Sequence, residues 1–329
     1  MTVNSALRPS EDDLIARYFA PLAGAAGLGL KDDAALMTPP PGCDLVLTVD
    51  ALVGGVHFFN EDPPGAIARK ALRVNLSDLA AKGAKPLGFL LALALPPGWS
   101  ADWLEAFARG LGEDAADYGC PLLGGDTVKT PGPLTLSITA FGAVPRGRML
   151  ARTGARPGDF LYVTGTLGDG ALGLQVRLGK LSGLAAPHRD FLAERYLLPR
   201  PRLALSDAMS RFAEGGMDVS DGFVGDLSKM LRVSGATGEV DLSRLPLSDA
   251  ARAAIALEPD TFATAVTGGD DYELIAAVRG ENAAAFEAAA AAEAVPVARV
   301  GEVREGREPP TFLRDGQAQR FAHGSFSHF

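Results

Sequence analysis

The sequence predicts a mixed α/β fold in two domains, and three observations carry that prediction. Short aliphatic or β-branched runs alternate with helix-like segments in both halves of the chain, the pattern of sheets covered by helices. Pro145 to Asp159, PRGRMLARTGARPGD, is dense in proline, glycine and arginine and reads as a domain junction. A length of 329 residues, 47% hydrophobic and 22% charged, suits one large or two medium domains with buried cores, and two are favoured, at residues 1–147 and 148–329.

The elements follow in order. A helix is expected over residues 10–20: Ser10 caps it, Asp13 stands at the capping-box position, and Leu14, Ile15 and Tyr18 share one face. Asp44 to Asp50, DLVLTVD, is β-branched and aliphatic and reads as a strand that ends on an acid. A long helix is expected from about Pro64 to Lys82, a strand around Phe89 to Ala94, and a helix from about Ala101 to Tyr118 with Ser100 at its cap. Cys120 to Thr127, CPLLGGDT, is again a short apolar run that ends on an acid, and Leu134 to Val144 reads as a strand. Beyond the junction, strands are expected at Phe160 to Thr164 and Tyr272 to Val278. Helices are expected from about Leu203 to Ala213, Phe223 to Ser234 and Asn282 to Ala292, the last because alanine is the best helix former.

Composition narrows the function. A formal net charge of -9 argues against nucleic acid as the main ligand, because phosphate-backbone binding relies on clustered lysine and arginine. The two cysteines, Cys43 and Cys120, lack CxxC spacing and read as small buried hydrophobes, with no disulfide framework or zinc knuckle. The N-terminal stretch has no basic-then-apolar leader pattern, and the apolar run Leu87 to Leu95 is too short to span a bilayer, so a cytoplasmic protein without a membrane partner is expected.

The chemistry gathers on aspartates. Asp218, Asp221 and Asp226 crowd into MDVSDGFVGDL, Met217 to Leu227, with no lysine or arginine among them. Carboxylates that close disfavour one another's ionised form unless something cationic sits among them. An apolar run, a small residue and an aspartate recur at Asp50, Asp126 and Asp270 with Asp271, and Asp32, Asp33 and Asp78 add to the set. In open α/β sheets ligands sit beyond the carboxyl ends of strands, so such acids are candidates to converge, although any one of them alone is more simply a turn former or helix cap. Oxygen ligands without histidine or cysteine select hard cations. Magnesium bridging phosphates fits better than an EF-hand, where Gly222 falls one place early and the twelfth position is Lys229.

A nucleotide is then expected, yet neither a P-loop nor the protein-kinase signatures occur. VTGTLGDGALG does place Gly168, Gly170 and Gly173 in GxGxxG spacing after a strand-like run. Pro187, Pro199 and Pro201 follow, with no second strand ending in an acid at the spacing a dinucleotide site requires, so the glycines read as a tight strand-to-helix turn.

DDAAL, TVDALVGGVHF, NLSDLAAKGAKP, GGDT, ARTGARPGD, DVSDGFVGDL and GGDDYEL, in that order and over nearly the whole chain, closely resemble the thiamine-monophosphate kinase family. That family belongs to the aminoimidazole-ribonucleotide synthetase-like ATP-binding superfamily. The resemblance implies ATP-dependent phosphorylation of thiamine monophosphate to thiamine diphosphate. It also implies a two-domain synthetase-like fold with mixed sheets, whose N-terminal domain binds ATP and metal and lends strands to a barrel in a homodimer. By resemblance, several magnesium ions are bound by Asp33, Thr48, Val49 through its carbonyl, Asp50, Asp78, Asp126, Asp218 and Asp221. ATP is contacted by Gly125, Asp126, Arg152 and Ser220, and the thiamine substrate by His57, Asp270 and Phe326. Asp226 is set apart as a first-turn helix acid that favours the dipole.

The pattern is not followed everywhere. Lys31 replaces a glycine before the first acidic pair, Val49 a common threonine, Asp270 the commoner glutamate and Phe326 a tryptophan or tyrosine. On the residues alone, Arg152 also suits a solvated basic linker, His57 a buried structural role and Phe326 a tail anchor. Two other functions stay open at this point: a sister enzyme with another small acceptor, and a regulatory protein that keeps magnesium-nucleotide without turnover.

Overall fold

A computed structural model describes residues 10–326. The chain divides into two compact units, one of residues 1–41, 47–75 and 86–142, the other of residues 42–46, 76–85 and 143–329. Ser10 caps α1 (Glu11–Leu14), and the capping box with Asp13 forms as its sequence predicts. The expected helix then loosens into a π-turn at Ile15–Phe19 and a 3-10 turn at Ala20–Leu22, where Pro21 cannot donate to an α-helical ladder.

In order come β1 (Cys43–Val53), α2 (Pro64–Ala81), β2 (Lys85–Leu95), α3 (Ala101–Asp117), β3 (Leu122–Lys129) and β4 (Thr135–Pro145). The four strands form one sheet in the order β1-β4-β2-β3, with β2 and β3 parallel. Ser100 caps α3 by accepting from the Trp103 N–H, and Leu104, Phe107, Ala108, Leu111 and Ala115 form its buried stripe. Gly110 of α3 has no room for a Cβ against Gly65 of α2, so the two backbones meet directly. Nearby, the Arg73 guanidinium donates to both oxygens of buried Asp114, which satisfies a charge that burial would otherwise penalise.

The second unit holds β5 (Phe160–Thr164), α4 (Asp169–Arg177), α5 (Ala186–Leu197), α6 (Ser206–Phe212), β6 (Ala213–Asp218), α7 (Phe223–Ser234), β7 (Thr237–Asp241), α8 (Asp249–Leu257), α9 (Thr261–Thr267), β8 (Leu274–Val278), α10 (Ala283–Ala292), β9 (Val297–Arg304), β10 (Thr311–Arg314) and β11 (Gln317–Gln319). Its seven-stranded sheet runs β11-β10-β7-β9-β5-β8-β6, antiparallel throughout except for the parallel β10/β7 pair. β8, LIAAV, is buried along its whole length because both faces are covered. Ile275 and Ala277 join a core with Phe223, Leu227 and Leu231 of α7, while Leu274, Ala276 and Val278 join another with Met209 of α6 and Phe286 of α10.

Cys120 is fully buried, and that burial pushes its thiol up to about 12, whereas Cys43 is half-buried. At pH 8 the native protein is therefore expected to be alkylated by iodoacetamide at Cys43 long before Cys120, with both modified after denaturation. Peptide mass spectrometry reads the difference.

Candidate active site

In the first unit, Asp33, Gly125 and Asp126 line one cavity of about 180 Å³, beside Asp32 and against apolar Phe19 and Leu90. The parallel pairing of β2 with β3 sets Leu91 opposite Gly125 and Ala92 opposite Asp126. A Cβ on Gly125 would collide with the Leu91 carbonyl, so glycine is what allows the ladder to continue up to Asp126. Thr48 and Asp50 alternate along β1 with Val49, whose side chain is 61% exposed. The backbone of Asp50 is pinned twice: its N–H donates to Asn75 Oδ1 at 3.1 Å and its carbonyl accepts from Ser137 Oγ at 3.1 Å. His57 lies in the turn after β1, where its Nδ1 accepts from the Val53 N–H at 3.0 Å, which leaves the ring proton on Nε2.

In the second unit the antiparallel sheet decides what meets. β6 and β5 both run antiparallel to β8, so their carboxyl ends lie beside its start. The loops after β5 and β6 and the loop before β8 are thereby gathered at one end of the sheet. Asp270 and Asp271 thus precede a strand and follow helix α9, where the sequence pattern placed them after an apolar run, and Tyr272 belongs to their loop and not to the strand. The Asp270 N–H donates to the Ser220 carbonyl at 3.0 Å, and the Tyr272 N–H to the Val219 carbonyl at 2.9 Å. Phe326 arrives at the same place: its N–H donates to the Asp221 carbonyl at 3.0 Å, and the residue is 53% exposed. Asp218, Ser220, Asp221, Asp270 and Phe326 are brought together in this way.

Asp78 and Arg152 join the group from other elements. Ser77 Oγ, next to Asp78 on α2, donates to Asp218 Oδ2 at 2.7 Å. The Arg152 turn docks on β6 through the Gly216 N–H, which donates to the Ala151 carbonyl at 3.3 Å, and through Gly154, where a side chain would strike the Glu214 carbonyl. Burial, then the neighbouring Asp78 carboxylate, push Asp218 up to about 8, against the Ser77 hydrogen bond. Lys82 donates to the Gly216 carbonyl at 2.9 Å; burial and Arg152 lower its pKa, and Asp218 and Asp78 partly restore it.

The crowding of Asp218, Asp221 and Asp226 resolves differently for each. Asp226 Oδ2 accepts from the Asp221 and Gly222 N–H groups at 2.9 and 3.1 Å, so this acid caps the start of α7 and holds the loop's shape. Lys229, one turn further on, donates to Asp221 Oδ2 at 2.6 Å and Asp226 Oδ1 at 3.2 Å, and is the cation that stands between them. Asp218 has Ser77 and a second carboxylate as neighbours, and burial opposes its charge.

Among the described residues, no three carboxylate, histidine or cysteine side chains are grouped as a ready metal cage. The donor sets nonetheless suit a hard cation, since each consists of oxygens, and Asp218 is a buried carboxyl whose ionised form an added cation would stabilise.

Comparison with known proteins fits both units into one pattern. The model described as AIR synthase related protein, N-terminal domain, matches residues 31–144, and its C-terminal domain counterpart matches residues 156–311. Thiamine-monophosphate kinase of Caulobacter vibrioides is 46% identical over 307 residues, which is 92% of this chain and 86% of that protein. The crystal structure of thiamine-monophosphate kinase from Stenotrophomonas maltophilia K279a, 40% identical, superposes with a TM-score of 0.79 over 88% of this chain and 91% of its own. The chain belongs to the thiamine-monophosphate kinase family. A further solved relative, described as AaThiL complexed with AMPPCP and TMP, is 30% identical with a TM-score of 0.77 and 91% of each chain covered.

The geometry argues against a dinucleotide role for the GxGxxG glycines in this member of the thiamine-monophosphate kinase family. β5 pairs antiparallel on both sides and so starts no parallel βαβ unit. The N–H groups of Gly168 and Gly170, which a pyrophosphate would take, donate to the Asp271 carboxylate at 2.6 and 2.9 Å. Ser77 went unnamed in the sequence, and the pairings of Lys229 and Asp271, there only an EF-hand mismatch and one acid of a pair, were not foreseen. Lys229 had a legible signal, three residues after Asp226 on the same helix face; Asp271 had none, because its partners lie 101 and 103 residues away.

Proposed function

We propose that this chain transfers the terminal phosphoryl group of ATP to thiamine monophosphate by direct in-line displacement, giving thiamine diphosphate and ADP. The observation that carries the reading is the meeting of Asp218, Ser220, Asp221, Asp270 and Phe326 at one end of the seven-stranded sheet, in a chain that shares 30% identity with a protein described in complex with AMPPCP and TMP.

In the first unit, Asp33, Thr48, the Val49 carbonyl, Asp50 and Asp126 are the proposed magnesium ligands; in the second, Asp78, Asp218 and Asp221. Magnesium, when bound, supplies the charge neutralisation that two approaching anions need. Gly125, Asp126 and Ser220 are the proposed ATP contacts, and Arg152 offers its always-charged fork to a phosphoryl oxygen. His57, whose ring is oriented by the Val53 N–H bond to Nδ1, is the proposed substrate contact from the first unit. Asp270 and the Phe326 ring hold the thiamine end, the ring by stacking. No residue is assigned as general base, because a phosphate monoester with a second pKa of about 6 is already ionised at neutral pH.

The proposal includes a homodimer in which the half of the chain at residues 1–147 lends strands to a barrel, the half at 148–329 forming the other domain. β1 is an edge strand that exposes Leu45, Leu47 and Val49 along one face, which favours pairing with a second copy. No helix among the described residues is long and apolar enough to cross a membrane, and a cytoplasmic location is part of the same reading.

ADP release with ATP and magnesium, measured with and without thiamine monophosphate, tests the function. Acceptor-dependent release is expected. Release only with a different small phosphorylated acceptor would point to a sister activity, and ATP binding without acceptor-dependent release to a regulatory role.

A further inference from the structure

The loop that carries Asp270 is built under strain. Asp270 and Tyr272 both have left-handed backbones, with φ of 72° and 52°, although neither is glycine. Such conformations persist only where the surroundings over-determine them. Between the two lies Asp271, 1% exposed. Its Oδ2 accepts from the Gly168 N–H at 2.6 Å and its Oδ1 from the Gly170 N–H at 2.9 Å, so both oxygens are spent on the first turn of α4. Gly170 has no room for a side chain because the Asp270 carbonyl lies against it. On the other side, the Asp270 and Tyr272 N–H groups are held by the Ser220 and Val219 carbonyls. The loop is clamped between α4 and the segment that carries Asp218 to Asp221.

We propose that Asp271 is a positioning residue for substrate: latched to the start of α4, it fixes the left-handed turn that presents Asp270 to the thiamine end of the acceptor. The inference rests on the reading of Asp270 as an acceptor contact. Asp271 does not touch the acceptor. It has turned a glycine-rich helix start, elsewhere suited to a ligand's phosphate, into an anchor for a neighbouring loop.

Steady-state kinetics of Asp271→Asn, Asp270→Ala and the double variant test it. Asparagine keeps one accepting oxygen but turns an N–H donor towards the other glycine N–H, so the latch opens on one side. Asp271→Asn is expected to raise the KM for thiamine monophosphate roughly 10-fold, with the KM for ATP within about twofold of the parent. The double variant is expected to be no worse than Asp270→Ala alone, because both act through one contact. A merely structural defect lowers the active fraction, and hence kcat, and leaves both KM values in place. If Asp271→Asn does not fold, Gly170→Ala presses on the same loop from the helix side and is expected to give the same split. Unchanged acceptor KM in the latch variant, or independent effects in the double variant, overturns the inference alone. Unchanged acceptor KM in Asp270→Ala overturns the reading of Asp270 and the inference with it.

Discussion

Asp218→Asn is expected to lower acceptor-dependent kcat/KM about 10³-fold while the fold survives, the scale on which loss of a charge-stabilising group acts in phosphoryl transfer. Burial is the cause. Asp218 is buried at the end of β6, where desolvation and Asp78 push its carboxyl up to about 8, which favours the protonated form when no divalent cation is bound. An amide of the same shape replaces that protonated group closely and still accepts from Ser77 Oγ. What it cannot do is take up negative charge when a cation arrives. Activity is therefore expected to fall far more than the melting temperature, and manganese binding measured by electron paramagnetic resonance is expected to weaken alongside. A variant with full activity and unchanged manganese affinity would remove Asp218 from the ligand set.

Glu273→Ala is expected to have the largest effect on stability, about 3–5 kcal/mol. Glu273 is fully buried and accepts from Thr164 Oγ1 at 2.7 Å, Arg195 at 3.2 Å and Arg202 Nε at 2.6 Å, with a second, short contact from the Arg202 guanidinium. Removing the carboxylate takes the nearer counter-charge from Arg195, 3% exposed, and leaves it relying on the Asp169 carboxylate at 4.0 Å. A fall in the melting temperature of roughly 10 °C is expected by calorimetry. Since Glu273 also accepts the Val219 N–H through its carbonyl, the loosened segment is the one that carries Asp218. A change of less than about 1 kcal/mol would show that the ion cluster is solvated in the native state.

The elements most legible in the sequence were those whose local chemistry agrees with their packing. α7 begins and ends where its glycines Gly222 and Gly235 release the backbone, and Ser100 caps α3 as its spacing predicts. β7, β9, β10 and β11 went unread because TGEVD and VARVGEVR interleave charges and glycine, and only pairing with neighbours makes them strands. α8 and α9 are short and their signals weak.

The candidate site was legible as a set of residue types and not as a shape. The Asp218–Asp221 segment and the Asp270 loop meet because β6 and β8 are antiparallel, a pairing that no local pattern announces. The same topology separates roles within one motif. In GGDDYEL, Asp270 stands half-open at the loop while Asp271 and Glu273 are buried anchors, and in DVSDGFVGDL Asp226 serves the helix start. Adjacent acids of one charge were indistinguishable until their hydrogen-bond partners were known.

Transfer of a phosphoryl group from ATP to thiamine monophosphate is tested by following a radioactive label. The purified protein is incubated with magnesium, thiamine monophosphate and ATP labelled with ³²P at the terminal phosphate, and the products are separated by chromatography. Label is expected in the terminal phosphate of thiamine diphosphate, one per ADP formed. Label found only in inorganic phosphate, or left in ATP while the protein binds both substrates, would contradict it.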